Sequence, residues 1–230
     1  MTDHVPRQDE PPVLIGEEAV ARIPLVEIDE AMVDLATIPR IAIDPRLADP
    51  AGHHRMVRAG VAKRLGEAAA SLPEELELLV IEGYRPLEIQ RRIFEAHLAE
   101  LRPIYSQVSE AELSVLASRF VAPPTGIPPH CSGAAVDLTL AFTGGPELDM
   151  GTRVNEGPEE SHGRCYSNAT DIPANCRQNR AILFGVLAGQ GLVNYPPEWW
   201  HWSWGDRYWS LQKGAPAALY GLVDEFRWRQ

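Results

Sequence analysis

Cysteine is scarce in this chain: Cys131, Cys165 and Cys176 are the only three in 230 residues, and no Cys-x-x-Cys pair occurs. So odd and sparse a set excludes a disulfide framework and a cysteine-built zinc site, and a reducing, cytoplasmic setting is the expectation. No stretch approaches the roughly 20 apolar residues that span a bilayer. The opening MTDHVPRQDEPP has no apolar core of the kind a secretion signal needs. Positive charge is also short. Lys and Arg number 21 against 32 Asp and Glu, a formal net charge of -11. That balance argues against nucleic acid or an anionic membrane as the main partner, because phosphate binding needs clustered cations.

The apolar fraction of 45% sets aside a disordered or fibrous chain. The length supports one sizeable core, expected over residues 13–230 behind a disordered polar tail at 1–12. No repeat or linker divides it, and the oligomeric state, a homo-oligomer included, is left open.

Local patterns predict the elements. Pro24 to Ile28 alternates like a short strand, and apolar residues recur at helical spacing from His54 to Leu72. Leu76 to Ile81 is a compact apolar run, read as a buried strand that delivers Glu82-Gly-Tyr-Arg-Pro86 to its end. Pro86 suits the start of a helix over 87–101, and Ser109 with Glu112 forms a capping box opening another to about Phe120. Ala134 to Phe142 reads as a strand and 143–171 as a long polar loop of the functional or mobile kind. Pro173 to Gln190 is a helix stopped by Gly191, and Leu192–Tyr195 and Glu198–Trp204 are two strands meeting at Pro196-Pro197. The order predicts one α+β domain with an antiparallel sheet and flanking helices.

Two segments carry chemistry. His130 and Asp137 bracket a Gly-Ala turn into a strand, and Glu198 precedes His201 by three residues in a tryptophan-rich strand. Zinc accepts imidazole and carboxylate ligands, and a hydrolytic site keeps three protein ligands with water in the fourth position. His130, Asp137 and His201 are the candidate ligands. Glu198, near the water but off the metal, is the candidate general base, provided a bulge at the double proline aims it inward. Arg85 offers a planar, permanent cation for an oxyanion. Each segment alone is weak, since a His beside a glycine turn is more often a hydrogen-bonding loop residue. The case rests on co-occurrence. Trp199, Trp200, Trp202 and Trp204 are read as core and pocket wall, Cys131 as a spectator, and His4, His53, His54 and His97 as surface.

With those residues in place, the chain resembles the zinc D-alanyl-D-alanine dipeptidases. The segments are Tyr84-Arg85-Pro86, His130 to Leu140, Met150-Gly151, Ser161-His162 and Glu198 to Trp202, in family order. The resemblance implies an α+β fold shared with D,D-carboxypeptidases and the hedgehog signalling domain. It also implies one Zn2+ per chain, a small dipeptide-like substrate, and the roles already assigned to His130, Asp137, His201, Glu198 and Arg85. Two positions depart from the pattern. Asn155 stands where the family has an Asp implied to receive the substrate ammonium, and Pro128 stands where a Ser is frequent. Asn155 accepts a hydrogen bond from an amine but lacks the charge that strengthens it. The expected substrate is therefore a small dipeptide or amide other than plain D-Ala-D-Ala. Two competing readings are a D,D-carboxypeptidase on cell-wall peptides and a zinc-stabilised binding protein without turnover.

Overall fold

Leu76–Glu82 and Ala135–Phe142 are the two longest strands, and in a computed structural model that describes residues 12–224 they lie side by side in a five-stranded sheet. Numbered along the chain, the strands are β1 (Met32–Asp34), β2 (Ile41–Ile43), β3 (Met56–Arg58), β4 (Leu76–Glu82), β5 (Ala135–Phe142), β6 (Val193–Tyr195) and β7 (Glu198–Ser203). The large sheet has the order β2-β4-β5-β7-β6, and β1 pairs with β3 in a separate ribbon.

The α+β class is as expected, but the sheet is not wholly antiparallel. Three of its pairings are antiparallel and β2 runs parallel to β4. Between these two strands the chain passes through helix α2 (Ala59–Ala70), and a crossover through a helix returns the next strand in the same direction.

The core lies between the sheet and two helices. Helix α2 buries Val61, Ala62, Leu65, Ala68 and Ala69, spaced three and four apart along one face, and α6 (Ala174–Gly189) adds Leu183 and Leu187. They meet Leu78, Val80, Leu138 and Leu140 from the sheet, with Trp199 fully buried among them. Each buried Val or Leu among them contributes about 1.5–3 kcal/mol of transfer free energy.

The remaining helices are α1 (Glu18–Ala21), α3 (Leu87–Ile104), α4 (Glu110–Ala117), α5 (Pro158–Ser161) and α7 (Arg207–Lys213). The capping box at Ser109 and Glu112 is present in full. Two boundaries differ from the sequence reading. The helix expected from His54 begins at Ala59, because Met56 and Val57 spend their apolar side chains in the β1–β3 ribbon. Pro24 to Ile28 is extended beside Ala218 and Leu219, yet it makes only an isolated bridge at Leu25. The long segment 143–171 contains α5 and is tied to α6 by Arg180, which donates to the carbonyls of Met150, Tyr166 and Arg164 at 2.8–2.9 Å. The tail expected at 1–12 lies outside the described residues except for Pro12. Among the described residues no helix is long and apolar enough to cross a membrane.

Candidate active site

Sheet register assembles the first part of the site. Asp137 on β5 pairs with Glu82 on β4 on one side and with His201 on β7 on the other. Residues in register on neighbouring strands project from the same face, so three polar side chains form one row. A register shift between Val80 and Glu82 places Glu82, rather than Ile81, opposite Asp137.

His130 reaches this row from a tight turn. Residues His130–Ser132 form one 3-10 turn, closed by Gly133 at φ 70°, where an added Cβ would lie 2.9 Å from Met32 Cε. The turn is stitched to the end of β4. Arg85 N donates to His130 O at 3.2 Å, and His130 Nδ1 donates to Gly83 O at 2.7 Å. Gly83 itself admits no side chain, since a Cβ there would sit 2.5 Å from the Met56 carbonyl. With Nδ1 committed as donor, Nε2 is the His130 nitrogen that faces Asp137.

The resulting donor atoms converge. His201 Nδ1 lies 2.9 Å from Asp137 Oδ1, His130 Nε2 lies 3.4 Å from the same oxygen, and the two imidazole nitrogens are 3.2 Å apart. Metal bonds of about 2.0–2.1 Å at the tetrahedral angle place ligand atoms roughly 3.3 Å from one another. Two imidazoles and a carboxylate at this spacing fit such an ion, and all three residues are buried. Burial alone would raise the Asp137 carboxyl, but the His130 charge and hydrogen bonds from both histidines outweigh it and hold Asp137 well below the usual range. Burial acts to lower His130, and Asp137 overcomes it, so the net shift is upward.

Glu198 stands beside this cluster, with Oε2 3.9 Å from His201 Nδ1. Burial pushes its carboxyl up to about 7, with Asp137 adding and His201 and Arg85 opposing. A carboxyl poised there exchanges protons readily near neutrality. Arg85 is held on two sides. Nε donates to Glu82 Oε1 at 2.6 Å, one terminal nitrogen to Gln90 Oε1 at 2.8 Å, and the other to Glu82 Oε2. Three of its five N–H groups are thus engaged and two remain for a ligand. The guanidinium keeps its charge despite burial, because Glu82 more than offsets the desolvation.

These groups open into a cavity of about 620 Å³, a size suited to small-molecule ligands, lined among others by Tyr84, Arg85, Asn155, Glu198 and Trp200. His130, Asp137, His201, Glu198 and Arg85 are therefore together. Asn155 is on the exposed rim of the same cavity at φ 66°, and Pro128 also lines it.

One sequence reading is corrected. His53 and His54 are buried, not on the surface, and both line the cavity, because Asp49 gathers their rings at 2.9 and 3.4 Å. His97 is half-buried on the same wall, and His4 lies outside the described residues. Cys131 is buried with its thiol pushed up to about 12, mainly by desolvation, which suits an inert role. Sequence reasoning missed Glu82 and Gln90 as partners of Arg85, and Asn194, whose amide donates to the carbonyls of Glu198 and His201. The only local signal for Glu82 was its place three residues before Arg85.

Buried donors around one point on an α+β sheet, a carboxyl beside them and an arginine facing a cavity make this protein a metallopeptidase by class. The chain belongs to the D-Ala-D-Ala dipeptidase family, whose model matches residues 43–215. It is 30% identical over 203 residues to a D-alanyl-D-alanine dipeptidase of Synechocystis sp., covering 74% of this chain and 79% of that one. It is 28% identical to the corresponding Escherichia coli dipeptidase, covering 64% of each. A solved LdcB LD-carboxypeptidase structure aligns at TM-score 0.47 and 18% identity, over 84% of this chain and 77% of that one.

Proposed function

We propose that the protein is a zinc-dependent dipeptidase that hydrolyses a small dipeptide or dipeptide-like amide, with altered recognition of the substrate's amino end. The observation that carries this reading is the spacing of 2.9–3.4 Å among His130 Nε2, Asp137 Oδ1 and His201 Nδ1 with Glu198 Oε2 3.9 Å from His201. In it His130, Asp137 and His201 hold one Zn2+, which would supply a Lewis acid that polarises the scissile carbonyl and makes a water acidic near neutral pH.

The chain's own groups do the rest. Glu198 takes a proton from the attacking water and returns one to the leaving amine, a transfer suited to a carboxyl that titrates near 7. Arg85, fixed by Glu82 and Gln90, turns its two free N–H groups toward the oxyanion of the tetrahedral intermediate. Asn155 meets the amino end as a neutral acceptor, which weakens the pull on a free ammonium compared with a carboxylate.

The test is metal content of the purified protein together with rates on a panel of D,D-, L,D- and N-modified dipeptides. The expected result is one zinc per chain and hydrolysis favouring a substrate other than plain D-Ala-D-Ala. Equal or better cleavage of D-Ala-D-Ala than of every other member would end the claim of altered recognition. Cleavage confined to pentapeptide stems would favour a carboxypeptidase.

A further inference from the structure

The β6–β7 hairpin is irregular beside the site. Tyr195 pairs with Glu198 and Asn194 with Trp202, so one step along β6 answers four along β7. Trp199, Trp200 and His201 stand opposite no β6 residue in this register, and buried carbonyls along such a bulge need donors.

One side chain supplies two of them. Asn194 Nδ2 donates to Glu198 O at 3.0 Å and to His201 O at 3.0 Å. Trp199 O lies further off at 3.4 Å and receives the Trp202 indole N–H at 3.1 Å instead. An amide nitrogen carries two hydrogens, so the two short bonds use both. The Ser167 hydroxyl donates to Asn194 Oδ1, which orients the amide with its nitrogen toward the carbonyls.

The consequence concerns side-chain direction. Residues three apart on a regular strand point to opposite faces. Glu198 and His201 are three apart, yet their side chains meet at 3.9 Å. We propose that Asn194 is a positioning residue, whose carboxamide sets the placement of the Glu198 carboxylate relative to His201 by clamping the carbonyls of both. The inference rests on the reading of Glu198 as the base of a dipeptidase. It also ties the 143–171 segment, through Ser167, to the geometry of that base.

The experiment compares zinc-loaded wild type with Asn194→Asp, Ser167→Ala, Glu198→Ala and the Asn194→Asp/Glu198→Ala double variant, on the best dipeptide of the panel. Asn194→Asp keeps the shape and removes the donor. It is expected to lower kcat roughly 10- to 100-fold, the loss that about 1 Å of misplacement brings. KM should stay within about twofold and zinc content should be unchanged. In the Glu198→Ala background it should lower the rate no further, because the group it positions is gone. Ser167→Ala should give a smaller loss of the same kind.

Wild-type kcat in Asn194→Asp would overturn the proposal. So would an equal proportional loss in the Glu198→Ala background, or a loss that follows lost zinc. If Asn194→Asp does not fold, Ser167→Ala decides, and unchanged kcat there overturns the clamp. Amide hydrogen exchange over residues 194–203 is the arm independent of turnover. Faster exchange confined to β7 supports the clamp and unchanged exchange refutes it. A wild-type protein that cleaves nothing on the panel would instead count against the dipeptidase reading.

Discussion

Glu198 and His201 sit three residues apart on one strand, yet Glu198 Oε2 approaches His201 Nδ1 to 3.9 Å. The contact places the Glu198 carboxylate beside the converging donor atoms of His130, Asp137 and His201 without making it one of them. Glu198→Ala is therefore expected to lower kcat by about 10²–10⁴-fold, the range for a lost general base. Zinc content by elemental analysis should not change. Hydrolysis at the wild-type rate would sink the mechanism.

Metal uptake should depend on pH. Asp137 stays ionised, while His130 is raised and Glu198 reaches about 7. A cation that binds must displace the proton that the raised His130 holds and disfavour the one on Glu198. Affinity therefore falls as pH drops through the range in which these two groups take up protons. Calorimetric titration of chelator-treated protein in buffers of different ionisation enthalpy should register proton release at pH 6.5 that shrinks toward pH 8.5.

Asn155→Asp should restore charge to the cavity rim. Its φ of 66° is one that Asp tolerates, so the backbone need not move. A charged acceptor strengthens a hydrogen bond by about 1–2 kcal/mol over a neutral one, which predicts roughly tenfold lower KM for dipeptides with a free ammonium. N-acylated dipeptides should show no gain. Identical KM values for both variants across the panel would remove Asn155 from substrate recognition.

Arg180→Ala tests how the 143–171 segment is held. The substitution strips donors from the carbonyls of Met150, Arg164 and Tyr166 together with a buried guanidinium whose pKa is lowered to about 10 by desolvation. A loss of about 2–4 kcal/mol of unfolding free energy is expected, partly relieved because a buried charge leaves with it. Denaturant unfolding measures it, and a change below about 0.5 kcal/mol, the scale of a neutral surface substitution, would refute the tie.

Much of the fold was legible because long elements write their period into the chain. The strands around Leu78 and Leu138, the helix after Pro86 and the Ser109 capping box all lie where local patterns place them. Met32–Asp34 and Ile41–Ile43 were not legible, since three residues are too few to show a period. The parallel β2–β4 pairing was hidden for a related reason: direction is set by a crossover, not by composition. His53 and His54 read as surface because nothing near them in sequence reveals that Asp49 turns them into a cavity wall.

The sequence by itself determined the chemistry available: two histidines, two carboxylates and an arginine in a spacing that resembles one peptidase family. Tertiary structure decided their arrangement. The register of β4, β5 and β7 put Glu82, Asp137 and His201 in one row, and the Gly133 turn brought His130 against it. The Asn194-filled bulge turned Glu198 to the same side. Residue types are local facts, but distances of 2.9–3.2 Å between residues 64 to 71 apart come only from strand pairing and the bulges that break its regular alternation.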